Sequence, residues 1–388
     1  MTNYLGSKIS LLLAILLPML MSCNSSSARG QETGANLTDS IAAADSAAAA
    51  PDSVDLLFAG DAMQHSSQSK AALRSNGTYD YSTCFTLVEP YIQSADYAVV
   101  NLECPLGGRP YTGYPCFSAP DEYAWQLKKS GFDLLLTANN HCLDRRDAGL
   151  RRTIKMLDSM KIPHVGTYVD AAARSSQLPL IADIKGFKVA FLDYTYGTNG
   201  IKIQGNVVVD YIDKPKMEAD IKAARAAGAQ VVCVNMHWGI EYKLSPNSDQ
   251  TSLAQWLVDH GADLVIGGHP HVLEPFKMVH STATGRDALV VYSMGNFISG
   301  QKPVDTRVGA MVRVTLKREA GGKAVAVSHP RYKLFYCQHP AGRGTNFTLI
   351  PEDQPGKVRS SDRANFERAI NRAHTLVMAN NHDVDQDR

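Results

Sequence analysis

The chain has 388 residues, of which 44% are hydrophobic and 20% are charged, and its formal net charge is +1. This composition is ordinary for a globular protein, and the length allows one large domain or two medium ones. Because a nearly neutral chain offers no electrostatic attraction for a polyanion, we expect no nucleic-acid partner.

The amino terminus is predicted to direct export. Residues 1–22 contain Lys8 and then an apolar run that is too short to span a bilayer, which is typical of a signal peptide. The ending "LMSC" resembles a bacterial lipobox, which makes Cys23 the expected lipidated first residue. The alternative is an ordinary signal peptide with a chance cysteine. Residues 23–53 are rich in Ser, Ala and Asp and are predicted to be a flexible tether. We therefore expect a protein in the cell envelope, anchored to the membrane at Cys23, since no later run is long enough to span a bilayer.

Six further cysteines follow, and none forms a CxxC pair. A cysteine zinc site is therefore not expected. Export permits disulfides, and Cys104 with Cys116 is the first pair to test. Cys142 and Cys233 lie in or beside apolar runs and are expected to be buried small side chains.

The rest of the chain alternates strand-like and helix-like segments. Short apolar runs rich in β-branched residues predict buried strands at 54–60, 97–101, 132–139, 188–194, 230–237, 263–269 and 288–296. Amphipathic segments predict helices at 121–130, 146–161, 214–228 and 248–261. This alternation favours an α/β domain over residues 54–340. Within it, "VGAMVRVTLKR" and "VSHPRYKLFYCQ" predict an antiparallel hairpin, and residues 341–388 are expected to form a helix and a polar tail.

Polar residues follow the carboxyl ends of these apolar runs, which is where open α/β sheets bind ligands. In chain order they are Asp61, His65, Asn101, Glu103, Asn139, Asn140, His141, Asp144, His237, Glu241, His269, His271 and Asn296. Taken singly, Asp61 could cap the next element and each histidine could be a hydrogen-bonded core group. Their repetition at separate strand ends predicts one common site instead. Carboxylates, imidazoles and an amide, without thiolates, suit one or two divalent ions such as Mn, Zn, Fe or Mg.

Six of these segments, "FAGDAMQH", "NLECPL", "TANNHCLD", "HWGIEY", "GGHPHVLEP" and "YSMGNF", together resemble the CapA family of bacterial capsule and poly-γ-glutamate synthesis proteins. The resemblance covers residues 54–300. That family is similar to calcineurin-like metallophosphoesterases, which implies an αββα sandwich of two mixed sheets flanked by helices. It also implies a role in making or attaching a capsule or other exopolymer, poly-γ-glutamate or polysaccharide. The implied partners are the envelope polymer or its precursor and the exopolymer synthesis machinery.

The resemblance also implies residue roles. Asp61, Glu103 and Asn140 correspond to metal ligands, with Glu103 bridging two ions. His141 corresponds to the proton donor. His237 and His269 are expected to bind one ion and His271 the other. Four further residues are expected to contact substrate or orient ligands: Asn101, Asn139, Glu241 and Asn296. Asp144 is expected to act with His141 by orienting it.

The sequence departs from the phosphoesterase pattern at two places. Met63 stands where a histidine is expected two residues after the first aspartate, and His65 is expected to replace it if the chain turns helically after Asp61. Glu103 lies in a short "NLE" in place of a longer aspartate motif. Two functions therefore stay open, a metal-dependent hydrolase and a non-catalytic factor that holds the polymer or scaffolds its synthesis complex.

Overall fold

Two mixed β-sheets pack face to face in the computed structural model, which describes residues 52–319, 324–378 and 383–387. The predicted signal peptide, Cys23 and nearly all of the predicted tether lie outside these residues. No helix within the described ranges is both long and apolar enough to cross a bilayer.

The strands are β1 (Ser53–Ala62), β2 (Tyr97–Leu102), β3 (Leu134–Leu136), β4 (His164–Val165), β5 (Thr167–Tyr168), β6 (Leu180–Ile184), β7 (Phe187–Thr195), β8 (Val208–Val209), β9 (Val231–His237), β10 (Leu264–Gly268), β11 (Phe276–His280), β12 (Asp287–Val291), β13 (Asn296–Ile298), β14 (Val308–Arg318), β15 (Val325–Gln338), β16 (Thr348–Pro351) and β17 (Asp385–Gln386). The helices are α1 (Ser66–Ala72), α2 (Ser82–Phe85), α3 (Glu89–Gln93), α4 (Asp121–Lys129), α5 (Arg146–Ser159), α6 (Ala171–Gln177), α7 (Lys214–Ala226), α8 (Ser248–Asp259) and α9 (Arg363–Met378).

Both sheets contain parallel and antiparallel pairs. The first has the order β16-β15-β14-β1-β2-β3-β4, with β13 beside β1 and β17 beside β15. The second has the order β11-β12-β10-β9-β7-β6, and β5 pairs separately with β8. In the first sheet β1 is parallel to β2 and antiparallel to β14, while in the second β9 is parallel to β10 and β11 is antiparallel to β12.

The alternation of side chains along each strand produces a four-layer sandwich. Phe58 of β1 and Phe191 of β7 point into one core between the two sheets. Their neighbours Leu57 and Leu192 point outward, into cores that the helices cover on either side. The predicted αββα architecture of two mixed sheets is confirmed.

The apolar run at 288–296 was predicted to be one strand, and this is wrong. Its first part belongs to β12 in the second sheet. Its last residue is the first residue of β13, which lies in the first sheet. Between them Gly295 adopts φ +65°, and a Cβ built on Gly60 would lie 1.9 Å from the Gly295 carbonyl oxygen. The chain therefore crosses between the sheets through a turn that two glycines permit.

The predicted hairpin and carboxyl-terminal helix are present as β14–β15 and α9. Residues 341–388 were predicted to lie outside the α/β domain, but those that the structure describes pack as part of it. Strand β16 extends the first sheet beside β15, and Phe366 and Ile370 of α9 enter the core between the sheets. Cys104 and Cys116, the first pair to test for a disulfide, are both free, with Cys104 buried and Cys116 exposed. Cys142 and Cys233 are buried, as predicted.

A buried acid in the second sheet makes stability depend on pH. Glu274 lies between β10 and β11, where Gln250 of α8 donates a hydrogen bond to its Oε2 at 2.7 Å. Its Oε1 is buried without a hydrogen-bond partner among the described residues. Burial raises the pKa of Glu274 to about 7 from 4.5, so the folded protein keeps a proton that the unfolded chain releases.

We predict that Glu274→Gln stabilises the protein above pH 7 and changes little below pH 4.5. Because the folded state binds more protons between these values, the free energy of unfolding of the unsubstituted protein falls as pH rises through this window. The difference should reach up to about 3 kcal/mol at pH 8, measured by denaturant unfolding at several pH values. The exposed carboxylate variant Glu367→Gln is the control. Parallel pH profiles for the unsubstituted protein and Glu274→Gln would contradict the prediction.

Candidate metal centre

Strand ends from both sheets bring polar side chains to one buried place. Asp61 is the penultimate residue of β1 and His237 is the last residue of β9, while Glu103 and His269 follow β2 and β10 directly. All four side chains are buried. The prediction of a site at the carboxyl ends of the strands therefore agrees with where the structure places these residues.

Glu103 lies at the centre of this group. Neither carboxylate oxygen has a hydrogen-bond partner among the described residues, although the residue is fully buried. The Nε2 atoms of His237 and His271 lie 3.5 and 3.8 Å from its Oε1. Burial, and then the charge of Asp61, hold the pKa of Glu103 well above its usual range. A buried carboxylate without a donor is unfavourable unless a cation joins it.

Asp61 is held in the ionised form. Its carboxylate accepts hydrogen bonds from Asn101 Nδ2 at 2.8 Å and from the backbone N–H of His269 at 3.1 Å, and His271 Nδ1 lies 3.3 Å away. Burial alone would raise the pKa of Asp61, but His271 outweighs burial and holds it well below its usual range. The side chain is therefore a negatively charged oxygen donor at fixed orientation.

The histidines differ in their protonation. Burial lowers the pKa of His237 to about 3 and that of His269 to about 2, so both imidazoles are neutral and able to bind metal. Burial alone would also lower the pKa of His271, but the carboxylates of Glu103 and Asp61 outweigh burial and raise it to about 9. His271 thus carries one positive charge beside the two acids, which compensates them only in part.

Glu103 is shared by two groups of candidate ligands. The ligand atoms of Asp61, Glu103 and His237 lie within 4.8 Å of one another, as do those of Glu103, His269 and His271. The shared carboxylate has the position expected of a bridging ligand. The His269 ring centroid lies 4.8 Å from that of His237 and 5.9 Å from that of His271, so which histidines share an ion stays a prediction. His269 and His271 have φ +98° and +60°, and these left-handed conformations direct both rings toward Glu103.

His65 does not reach the site in the way that the sequence analysis expected. Residues 61 and 62 are extended in β1, and helix α1 begins only at Ser66, so no helical turn places His65 on the same face as Asp61. His65 Nδ1 instead accepts the backbone N–H of Gly300 at 3.1 Å, and the residue belongs to neither ligand group. Met63 is buried in the core beneath the helices of the first sheet.

Asn140 and His141 lie beside the two ligand groups. Asn140 Oδ1 is 3.0 Å from His237 Nε2. His141 Nδ1 is 2.8 Å from Asp144 Oδ2, which also accepts the backbone N–H of Phe117 at 2.7 Å. Asp144 therefore orients the His141 ring, and the Phe117 ring packs edge-on against it with centroids 4.6 Å apart.

Amide side chains connect the ligands. Asn101 Nδ2 lies 3.3 Å from His237 Nδ1, and Asn139 Nδ2 donates to Asn101 Oδ1 at 3.2 Å. Asn296 Oδ1 lies 3.1 Å from His271 Nδ1. Through these contacts Asn101, Asn139 and Asn296 are placed to orient the candidate ligands, and that role stays a prediction. Glu241 is exposed and does not orient a histidine by a direct hydrogen bond.

The sequence analysis missed three residues of the site, all at or after the end of β7. Buried Asp193 accepts the backbone N–H groups of Thr137 and Ala138 at 3.0 and 2.8 Å, which holds the loop that carries Asn140 and His141. The Tyr196 ring lies 4.6 Å from that of His269, and Asn199 contacts Asn140 and His141. The segment "DYTYGTN" follows an apolar run, so the strand-end rule would have found them.

The donor set fits a divalent metal ion. It combines two buried carboxylates, the neutral imidazoles of His237 and His269, an amide oxygen, and the imidazole of His271, which must release its proton before it can bind metal. The Nδ1 atom of His269 is buried without a partner among the described residues. Together with the unpartnered Glu103, this leaves buried donors that a cation would satisfy.

Comparison with known proteins identifies the family of this chain. The sequence profile described as "Bacterial capsule synthesis protein PGA_cap" matches residues 55–301. The chain belongs to this family. The predicted membership in the CapA family is thereby confirmed.

Two curated relatives are capsule-related. The chain is 30% identical over 250 residues to the capsule biosynthesis protein CapA of Bacillus anthracis, covering 62% of this chain and 59% of that protein. It is 28% identical over 249 residues to the PGA biosynthesis protein CapA of Bacillus subtilis (strain 168), covering 62% of each. The chain thus spans about three fifths of the length of these relatives.

Among solved structures, the NAD nucleotidase of Haemophilus influenzae superposes with a TM-score of 0.46 at 12% identity, covering 86% of this chain and 57% of that one. A hypothetical protein from Thermus thermophilus superposes with a TM-score of 0.40 at 16% identity, covering 72% of this chain and 98% of that one.

We predict that Gly268→Ala damages the site specifically. A Cβ at this position would lie 2.6 Å from Asp61 Oδ1, so the carboxylate must move. We expect affinity for divalent metal to fall by about tenfold to a hundredfold, measured by competition with a chelating dye. Gly197→Ala is the matched control, because its Cβ would meet no atom within 4 Å. Equal metal affinity in the two variants would contradict the prediction.

Proposed function

We propose that this capsule-synthesis family member is a metal-dependent, phosphoesterase-like hydrolase that acts on a cell-envelope polymer, poly-γ-glutamate or polysaccharide, or on its precursor. The observation that supports this most strongly is Glu103, a fully buried carboxylate with no hydrogen-bond partner among the described residues and with two histidines within 4 Å. Such a group is unfavourable in a purely structural role.

The residues that would hold one or two ions are Asp61, Glu103, Asn140, His237, His269 and His271. Mn, Zn, Fe and Mg all suit this mixture of oxygen and nitrogen donors. A divalent ion bound there would supply Lewis acidity and neutralise charge on phosphoryl oxygens. Asn101, Asn139 and Asn296 keep the ligands in orientation through the hydrogen bonds described above.

His141 is the residue that supplies a proton to the leaving oxygen. Asp144 accepts the Nδ1–H of His141 at 2.8 Å, which leaves the opposite ring nitrogen, Nε2, to carry the transferred proton. The backbone N–H of Phe117 holds Asp144 from a second direction, so the ring cannot rotate freely. This arrangement suits cleavage of a phosphodiester, in which the departing alkoxide must be protonated.

We predict that His141→Ala lowers turnover of phosphodiester substrates by about a hundredfold or more while bound metal is unchanged. Asp144→Asn should lower turnover less, because it leaves the ring present and disturbs only its orientation. Metal content is measured by elemental analysis of the purified protein, and turnover with phosphodiester and amide substrates in parallel. The matched control is His164→Ala, a half-buried histidine in β4 that is no part of the site.

Absence of both bound metal and turnover would contradict the proposed hydrolase. Bound metal without turnover of either substrate class would support the alternative, a non-catalytic factor that holds polymer in the same pocket. One observation supports that alternative. Met63, which is buried in the core, stands where the phosphoesterase pattern has a metal-binding histidine.

We propose further that the protein is exported and anchored in the cell envelope through lipid on Cys23, near the exopolymer synthesis machinery. The "LMSC" segment supports this proposal. Cys23→Ser is expected to release the protein from the membrane fraction and to abolish incorporation of labelled fatty acid. The reason is that lipid on Cys23 is the only membrane anchor that we expect. Cys116→Ser, at an exposed cysteine, is the control. Membrane retention of Cys23→Ser would exclude this anchor.

A further inference from the structure

Exposed aromatic side chains are concentrated around the candidate metal centre. Among the described residues, six large hydrophobic side chains are exposed, and four of them are Tyr114, Tyr196, Ile240 and Tyr242. We call these four residues the tyrosine rim. Tyr114 is 74% exposed, Tyr196 47% and Tyr242 51%, so their rings are not used to stabilise the core.

Each tyrosine of the rim contacts the site through another ring. The Tyr196 ring centroid is 4.6 Å from that of His269, and the Tyr242 centroid is 6.1 Å from that of His271. The Tyr114 centroid is 6.5 Å from that of Phe117, which packs against His141. The three exposed rings therefore approach the centre from its metal-ligand and proton-donor sides.

The backbone of the rim is held in an unfavourable conformation. Tyr242 has φ +65°, a region that bulky residues seldom occupy, and its N–H donates to the Pro270 carbonyl at 2.8 Å between the two histidines. Asn199, three residues after Tyr196 and outside the rim itself, has φ +50°. Strain of this kind at an exposed aromatic residue serves no packing purpose, and it is typical of ligand sites.

Polar groups accompany the aromatic faces. The Tyr242 hydroxyl accepts a hydrogen bond from Gln301 Nε2 at 3.3 Å, and the Asn199 amide lies beside His141. Acidic Glu241 lies between Ile240 and Tyr242 and is exposed. A pyranose ring presents a C–H face that packs on an aromatic ring and hydroxyl groups that pair with amides and carboxylates. An acidic peptide chain has no such rigid C–H face, and Glu241 would repel its carboxylates.

We propose that the tyrosine rim is a subsite for a sugar ring that is joined directly to the phosphoryl group at the metal centre. The inference rests on the proposed function, and it names the substrate class as a glycosyl phosphate or a sugar-containing phosphodiester, not a ring-free γ-glutamyl chain. The rim binds and orients the sugar, and the bond that breaks is the phosphoester bond.

The test compares ligands by calorimetry on the metal-loaded full chain. The probes are glucose 1-phosphate, inorganic phosphate, a nucleoside 5′-monophosphate, a γ-linked glutamate oligomer and uncharged methyl glucoside. Glucose 1-phosphate is expected to bind about tenfold more tightly than inorganic phosphate. Tyr242→Leu and Tyr114→Leu should each remove most of that advantage without changing the affinity for inorganic phosphate, while Tyr242→Phe should keep it.

Trp125→Leu is the matched control, since Trp125 is an exposed aromatic residue on α4 outside the rim. Equal binding of glucose 1-phosphate and inorganic phosphate, or an advantage that both Leu variants retain, would overturn the proposal. So would tighter, rim-dependent binding of the nucleotide or of the glutamate oligomer. If no phosphate binds, the proposed hydrolase fails, and methyl glucoside then decides the subsite: binding lost in Tyr242→Leu supports it, and no binding overturns it.

Discussion

The structure depends on one uncompensated group, the carboxylate of Glu103. It is buried where two sheets meet, and no described residue donates a hydrogen bond to it. Moving a lone carboxylate out of water is so unfavourable that it must be protonated or paired with positive charge. Protonated His271 partly supplies that charge, and the same imidazole also serves Asp61. The surrounding residues are thus arranged for a cation. The proton on His271 compensates the negative charge less completely than a divalent cation would.

The fold delivers this arrangement through strand ends and close backbone contacts. Asp61 and His269 come from different sheets, and they meet because Gly268 leaves room for the Asp61 carboxylate. The turn after β10 then uses two left-handed histidines to point both rings inward. Strain in the loop is therefore balanced by the packing of the sheets behind it, whose cores are fully buried.

Much of the fold and most of the site could be predicted from the sequence, for a physical reason. Buried parallel strands are continuous apolar runs, and ligands gather at their carboxyl ends, so Asp61, Glu103 and His237 were recognisable from position alone. Asp193 also lies near the carboxyl end of an apolar run, at 188–194, but no site residue was predicted at the end of that run. The rule did not show where the chain changes sheet, because it treated the run at 288–296 as one strand although Ser293 and Gly295 interrupt its apolar residues.

The conformation of residues 61–65 could not be read from spacing. An i, i+4 pair shares a face only in a helix, and whether β1 continues through Ala62 depends on its pairing with β2 and β13. Histidine pairs have the same ambiguity. His269 lies close to both His237 and His271, and its backbone, with φ +98°, departs from the strand geometry that spacing assumes.

The rim and the metal ligands are mechanically linked, which bears on how substrate binding and chemistry are coupled. The Tyr242 N–H is hydrogen-bonded to Pro270, and Pro270 lies between the two histidines of the ligand loop. Tyr242 is therefore joined through its backbone, and not through its ring, to the segment that carries His269 and His271. His141 is held separately, by Asp144 and by the loop that Asp193 fixes. Tyr114 of the rim contacts Phe117, whose ring packs against His141 and whose N–H holds Asp144, so a group bound on the rim would touch the supports of both His141 and the metal ligands.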